Sequence, residues 1–327
     1  MRKEILNKLY DYKKSPSGGF DELALRIFRY QASHNKIYAR FLNYLGVKPA
    51  NIRSIEKIPF LPVSFFKNEI IKTGQWKEEK IFESSSTTGV NVSKHYIKDL
   101  RFYFDNARYC FESFFGDSIR NYIFFALLPS YLERNTSSLV YMIKHFINLS
   151  DGGFYKYDYE TLLNDLRKYK GNKKIILFGV TFALLEMASK YKTDLSNVII
   201  METGGMKGRY KEMPREEIHE KLKNAFNVDK IYSEYGMTEL LSQCYSGGDG
   251  IFTLSPTVKI IIKDIYDPFS SVPPGKQGKI NIIDLANLDT CGFLSTDDLG
   301  VLLNRREFKV LGRTDESDIR GCNLLFY

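Results

Sequence analysis

The feature that most constrains this chain is an alternation that runs from Tyr122 to Tyr232. Apolar runs at Tyr122 to Leu128, Lys174 to Phe178, Val198 to Met201 and Lys230 to Tyr232 are separated by helically spaced stretches, among them Ser137 to Ile147 and Tyr159 to Tyr169. A strand that is apolar at consecutive positions has to be covered on both faces, and the helices between such strands supply the cover. The expected class is α/β, with mixed, substantially parallel sheets covered by helices. Ile81-Phe82-Glu83 adds a short strand ahead of this region, and Asp99 to Phe115 adds a helix.

The two ends read differently. From Met1 to about Leu45, Phe20, Leu23, Leu25, Phe28 and then Tyr38, Phe41, Leu42 fall at helical spacing. Pro59 and Pro62 stop that pattern, since each removes an amide donor and disfavours the helical region before it. Beyond about Gly250 the rhythm becomes strand and turn: Val258 to Ile262, Gly278 to Asp284, Leu299 to Leu303 and Lys309 to Leu311, broken at Pro273-Pro274-Gly275-Lys276 and Gly292. The expected organisation is a helical arm over 1–50, an α/β body over 51–250 and a smaller β-rich subdomain over 251–327.

With 327 residues, 43% of them hydrophobic, the chain can bury one large core or two. Its net charge of +8 suits a polyanionic partner such as ATP, an acidic carrier protein or nucleic acid. No run of five basic residues occurs and no zinc-finger spacing is present, so nucleic acid is not expected as a partner. Cys110, Cys244, Cys291 and Cys322 form no CxxC pair, which argues against a zinc site or a disulfide framework and for a reducing compartment. No apolar run approaches about 18 residues and the start lacks a signal-peptide core, so the expectation is a cytoplasmic protein that does not engage a membrane.

Three segments carry chemistry. Ser84-Ser85-Ser86-Thr87-Thr88-Gly89, with Lys94 and His95 a few residues on, follows a strand and offers hydroxyl and amide donors of the kind phosphate oxygens need. It equally fits a solvated Ser/Thr loop, and no Gly-Lys-Ser/Thr closes it in the Walker manner. Tyr232-Ser233-Glu234-Tyr235-Gly236-Met237-Thr238-Glu239 stands at the C-terminal end of an apolar strand, where open α/β sheets bind ligands. Thr238 there also fits a helix cap, and Glu239 a first-turn acid. The third is Ser295-Thr296-Asp297-Asp298-Leu299-Gly300 with Leu311-Gly312-Arg313-Thr314-Asp315 downstream, in which an Asp could take vicinal hydroxyls and an Arg steady the same ribose; Asp297-Asp298 also fits a turn.

Taken in this order, the segments resemble the signature set of the adenylate-forming superfamily of acyl-CoA synthetases, peptide-synthetase adenylation domains and luciferases. Gly204-Gly205 is similar to the glycine pair that faces adenine in that family. A closer likeness, over roughly residues 50 to 327, is to LuxE-type acyl-protein synthetases, carried by Ile58-Pro59-Phe60-Leu61-Pro62, Phe82 to Gly89 and Arg320-Gly321-Cys322. The resemblance implies the large N-terminal portion of an adenylate-forming enzyme. By it, Ser85, Ser86, Thr87, Thr88, Gly89 and Lys94 would hold the triphosphate of ATP, and Gly204, Gly205, Tyr235 and Gly236 would enclose the adenine. Thr238 would touch the α-phosphate, Glu239 would bind Mg²⁺, and Asp298 and Arg313 would take the ribose.

The chain departs from the family in having Ser86 where glycine is common and in the extra residues between Gly89 and Lys94. The family has a Gly-Arg-x-Asp hinge, which Gly312-Arg313-Thr314-Asp315 resembles, and continues past it into a mobile domain with a catalytic lysine, whereas this sequence stops at Tyr327. Either a different cation takes its place, with Lys94 and His95 as the local candidates, or the sequence is a fragment, or catalysis is slow. The implied reaction joins ATP and a carboxylic acid into an acyl-adenylate and moves the acyl group to a thiol, with Cys322 as the matching acceptor; the same cysteine fits a small buried apolar residue. A reductase, an acyl carrier or a transferase is the implied protein partner. Two other readings stay open: a ligase that transfers to coenzyme A or a carrier, and a non-catalytic nucleotide- or acyl-binding subunit.

Overall fold

The structure, a computed structural model, describes residues 1–84, 92–128, 135–204 and 213–314. The chain divides into two compact units, one of residues 1–65, 71–74 and 257–327, the other of 66–70 and 75–256.

The first unit opens with three helices, α1 (Arg2–Lys14), α2 (Phe20–His34) and α3 (Lys36–Tyr44), and a two-residue strand β1 (Leu61–Pro62). Asn35 separates α2 from α3 because its side chain caps the new helix, accepting from the amides of Ile37 and Tyr38. The apolar face of α2 buries Leu23, Ile27 and Phe28. Its one fully buried polar side chain, Gln31, donates to the carbonyls of Asn287 and Leu288 at 2.8 and 3.0 Å and accepts from the Gly292 amide at 2.9 Å. Arg2 grips Asp289 through two bonds of 2.6 Å. The N-terminal helices and the late segment 285–292 therefore share one core, in which the Phe293 ring meets Phe28 edge-on and stacks on Tyr38.

The second unit begins with the short helix α4 (Phe65–Asn68) and the hairpin β2 (Lys80–Glu83) and β3 (Lys94–Ile97). Then come α5 (Leu100–Phe115), β4 (Tyr122–Leu127), α6 (Ser138–Leu149), β5 (Gly152–Tyr155), α7 (Tyr159–Lys168), β6 (Lys174–Val180), α8 (Thr181–Lys190), β7 (Val198–Thr203), α9 (Arg215–Phe226), β8 (Tyr232–Tyr235), β9 (Cys244–Ser246) and β10 (Ile251–Thr253). Within this unit the strand order is β10-β9-β8-β7-β6-β4-β5. The strands from β8 to β5 run parallel, and β9 reverses direction against β8. Every residue of β4 is buried, the burial that helices on both faces impose on an uninterrupted apolar strand. Phe111 of α5 meets Phe124 and Phe146 at 5.6 and 5.5 Å, so strand and helices interlock through aromatic edges.

The chain then returns to the first unit as an antiparallel meander, β11 (Val258–Lys263), β12 (Gln277–Asp284), β13 (Phe293–Leu302) and β14 (Glu307–Arg313), with β1 pairing parallel to β13. The α/β class with mixed sheets, parallel in the body, is what the structure has.

Candidate active site

Strands β7 and β8 lie side by side with Thr203 opposite Glu234, so the segments that leave their C-terminal ends start together. Gly204 leaves β7 at φ +73°, a left-handed backbone that favours glycine. At the head of α8 the Thr181 hydroxyl sits 2.8 Å from a Glu202 carboxylate oxygen and 3.0 Å from the Gly204 carbonyl, fixing where that exit points. From β8 the chain passes through Tyr235, half-buried against the Phe252 ring at 5.8 Å, to an exposed Gly236 and on to a buried Glu239.

Two buried carboxyls sit at these strand ends in opposite electrostatic states. Burial raises the pKa of Glu202, but the Arg215 guanidinium and bonds from His219, Ser233 and Thr181 outweigh it and hold the group down to about 2. Arg215 also lies over the Phe252 ring at 5.1 Å. Glu234 forms no ion pair among the described residues. Burial pushes it up to about 7, the nearby Glu202 charge adds to the rise, and the bond that the Thr203 hydroxyl donates pulls the other way. Its side chain folds back beneath Gly236: a Cβ there would collide with the Glu234 carboxylate and lie 3.4 Å from Gln243 Cγ.

The β2–β3 hairpin meets the same turn. Its base is pinched where Ser84 donates its amide to the Ser93 carbonyl at 3.0 Å and accepts the Ser93 amide on its hydroxyl at 2.9 Å. Next along β3, Lys94 is exposed. His95 is fully buried; its Nδ1 donates to the Thr238 carbonyl at 2.7 Å and its ring meets Phe66 edge-on at 5.6 Å. Asn106 of α5 secures the far side of the turn, donating to the Leu241 carbonyl at 2.9 Å. Of the predicted site residues, the structure thus brings Gly204, Tyr235, Gly236, Thr238 and His95 into one neighbourhood. Ser85, Ser86, Thr87, Thr88, Gly89, Gly205 and Cys322 lie outside the described residues.

In the first unit Asp298 and Arg313 face each other across β13 and β14, with Arg313 Nε 3.1 Å from Asp298 Oδ1. The aspartate is nearly buried and the arginine side chain is 73% exposed, so the aspartate is the fixed member. The Thr314 amide and hydroxyl both donate to the Asp297 carbonyl, at 2.8 and 3.0 Å, which holds the strand end closed.

Sequence reasoning missed Glu202, Thr203, Thr181, Arg215 and the role of Glu234. A usable signal was present for Glu202, an acid directly after the apolar run Val198 to Met201, since a carboxylate placed there has to find a partner or a proton. Cys110, Cys244 and Cys291 are buried and unbridged, and burial pushes the Cys291 thiol up to about 12. No three potential ligands cluster as a metal site among the described residues, and none of their helices is long and apolar enough to cross a membrane.

The mixed sheet with its helical cover has the fold seen in adenylate-forming ligase structures. The ATP-bound MatB of Rhodopseudomonas palustris is similar at 15% identity and a TM-score of 0.55, over 71% of this chain and 47% of that one. A 2-hydroxyisobutyryl-CoA ligase solved with 2-HIB-AMP and CoA is similar at 14% identity and a TM-score of 0.69, over 92% of this chain and 70% of that one. The chain spans about half the length of MatB. No curated protein matches it in sequence. The acyl-protein synthetase family LuxE matches residues 131–326, more than half of the chain, and the chain belongs to that family.

Proposed function

We propose that this chain activates a carboxylic acid with ATP and passes the acyl group to a thiol. A carboxylate oxygen attacks the α-phosphorus, the bond to the β-phosphate bridge breaks, and pyrophosphate leaves with its electron pair. A thiolate then attacks the acyl carbonyl and AMP departs. The first step needs charge held in place around phosphates rather than a covalent helper.

The observation that carries this reading is the meeting of two segments at Thr238: the turn from β8, and the β3 strand that follows the hydroxyl-rich run, joined by His95. Ser85 to Gly89 and Lys94 take the β- and γ-phosphates, Thr238 the α-phosphate, Tyr235 with Gly204, Gly205 and Gly236 the adenine, and Asp298 with Arg313 the ribose. His95, bonded to the Thr238 carbonyl, acts by holding that turn, and the exposed Lys94 beside it is the cation offered to the phosphates.

Mg²⁺ is held through one or two carboxylates together with substrate phosphates. A single buried carboxylate, Glu239, beside a phosphate-binding turn is the donor set it takes. Bound there, the metal would neutralise phosphate charge.

The family points to a protein thiol as acceptor, and Cys322, next to Arg320, is the residue we assign, with a reductase, acyl carrier or transferase as the downstream partner; a fatty acid is the substrate class. Acid-dependent exchange of labelled pyrophosphate into ATP tests the first step, and its absence across a panel of carboxylic acids removes the reading. Intact-protein mass after incubation with ATP and acid tests the second. A mass gain equal to the acyl group supports self-acylation, and acyl-CoA appearing only when coenzyme A is supplied replaces it.

A further inference from the structure

Outside the residues assigned above, a buried polar cluster lies beneath the two strand exits. We propose that Glu234 is a positioning residue for the nucleotide: its carboxyl, bonded by the Thr203 hydroxyl and seated under Gly236, locks the exit of β7 to the exit of β8 so that both walls of the adenine site keep their spacing. This rests on the proposed ATP-dependent activation and adds to it a residue that touches neither ATP nor acid.

The geometry carries the assignment. Parallel register puts Thr203 opposite Glu234, one residue ahead of Gly204 and two ahead of Gly236. Thr203 and Glu234 are the last pair in the β7–β8 register, and the hydroxyl of one donates to the carboxyl of the other, a side-chain bond added to the main-chain pairing at the point where both segments leave the sheet. One carboxyl oxygen takes that bond and the other lies where a Cβ on Gly236 would be. The carboxyl is thus a wedge under the turn as well as a clasp between strands. A flexible acid would yield to a methyl group on Gly236; one fixed by Thr203 cannot.

The surroundings decide which protonation state does this. Facing Glu234 are Thr203 and Glu202 from β7, Tyr103 from α5 and Tyr245 from β9, none of them a cation. Arg215 and His219 of α9 are engaged with Glu202. Burial among acids and phenols favours the neutral carboxyl, which can accept from Thr203 and keep its seat under Gly236 without charge. Ionisation places a second negative charge beside Glu202, and water drawn in to solvate it loosens the clasp.

The test is ATP binding by calorimetry on the full chain at about pH 6 and about pH 8.5, for wild type, Glu234→Gln, Glu234→Ala and Thr203→Val. The terminal phosphate of ATP titrates in the same range, so the readout is the difference between wild type and Glu234→Gln. At the lower pH the Gln variant is expected to bind as wild type does. At the higher pH the wild type weakens by several-fold more than the Gln variant. Glu234→Ala and Thr203→Val weaken ATP about tenfold at both pH values, the size of one lost buried hydrogen bond, and leave the KM for the acid within about twofold. Coincident wild-type and Gln profiles, or an Ala variant that binds ATP as wild type, overturn the assignment and leave the ATP-dependent reading standing. A wild type that binds no ATP at any pH overturns both.

Discussion

The imidazole of His95 donates to the main-chain carbonyl of Thr238 at 2.7 Å, across 143 residues of sequence. That bond ties the strand carrying Lys94 to the turn carrying Glu239. The ring is buried against Phe66 with its Nδ1 spent on the carbonyl, so it serves as a strut.

His95→Asn should therefore behave better than His95→Ala, because the Asn amide can still donate to the carbonyl. The expected loss in ATP affinity is about tenfold for Ala, from a buried carbonyl left without its donor, and no more than about threefold for Asn. Pyrophosphate-exchange kinetics read it. Equal losses in the two variants would show that the hydrogen bond is not what matters.

Asp298 and Arg313 separate binding from stability. Their ion pair is largely open to water on the arginine side, so it adds about 0–1 kcal/mol to folding. Asp298→Asn should leave the denaturation midpoint nearly unchanged while raising the KM for ATP by tenfold or more, through the loss of charge-assisted bonds to the ribose. A large drop in stability with unchanged KM would move the pair from the site to the scaffold.

The two buried acids predict a stability profile with two limbs. Glu202, held at about 2 when folded and near 4.5 when unfolded, gives stability that is present above about pH 4.5 and is lost as pH falls toward 2. Glu234 has its folded value raised to about 7, so the native state holds the proton more tightly. Its contribution is present below about pH 4.5 and is lost as pH rises through about 7, on the order of 3 kcal/mol at about 1.36 kcal/mol per unit. Urea denaturation at pH 5 and pH 8 should show this fall in wild type and a flatter response in Glu234→Gln. Arg215→Met should cost about 3–5 kcal/mol by leaving Glu202 charged, buried and without its cation.

Cys322 offers a covalent readout. Cys322→Ser should keep acid-dependent pyrophosphate exchange and lose the hydroxylamine-sensitive mass gain of the acylated protein. If the Ser variant still gains a labile acyl group, another residue is the acceptor.

Much of this was legible in the sequence, because backbone pattern follows from burial. The continuous apolar runs at Tyr122 and Lys174 announced strands covered on both faces, and β4 and β6 run there. The Tyr-Gly-Met-Thr-Glu run was expected at a strand end, and β8 stops at Tyr235. The strands β5, β9 and β10 were not expected: Gly152-Gly153 carries no apolar signal, and the three residues of β9 are too few to show a period. Least legible were contacts between residues far apart in sequence. Gln31 gives no sign on its helix that it will meet Asn287, and Asp298 reads as a turn until β14 brings Arg313 opposite it.

The reversal at β9 governs what can vary. A parallel neighbour after β8 would require a crossover of a dozen residues or more, with a helix lying over the sheet. An antiparallel neighbour needs only the stretch 236–243, which leaves Gly236 uncovered and is anchored at Thr238 by His95 and at Leu241 by Asn106. Relatives that lengthen this connection would lose one anchor or the other. The length of this return is therefore fixed from both ends, and tolerance for inserted residues should be found in other loops.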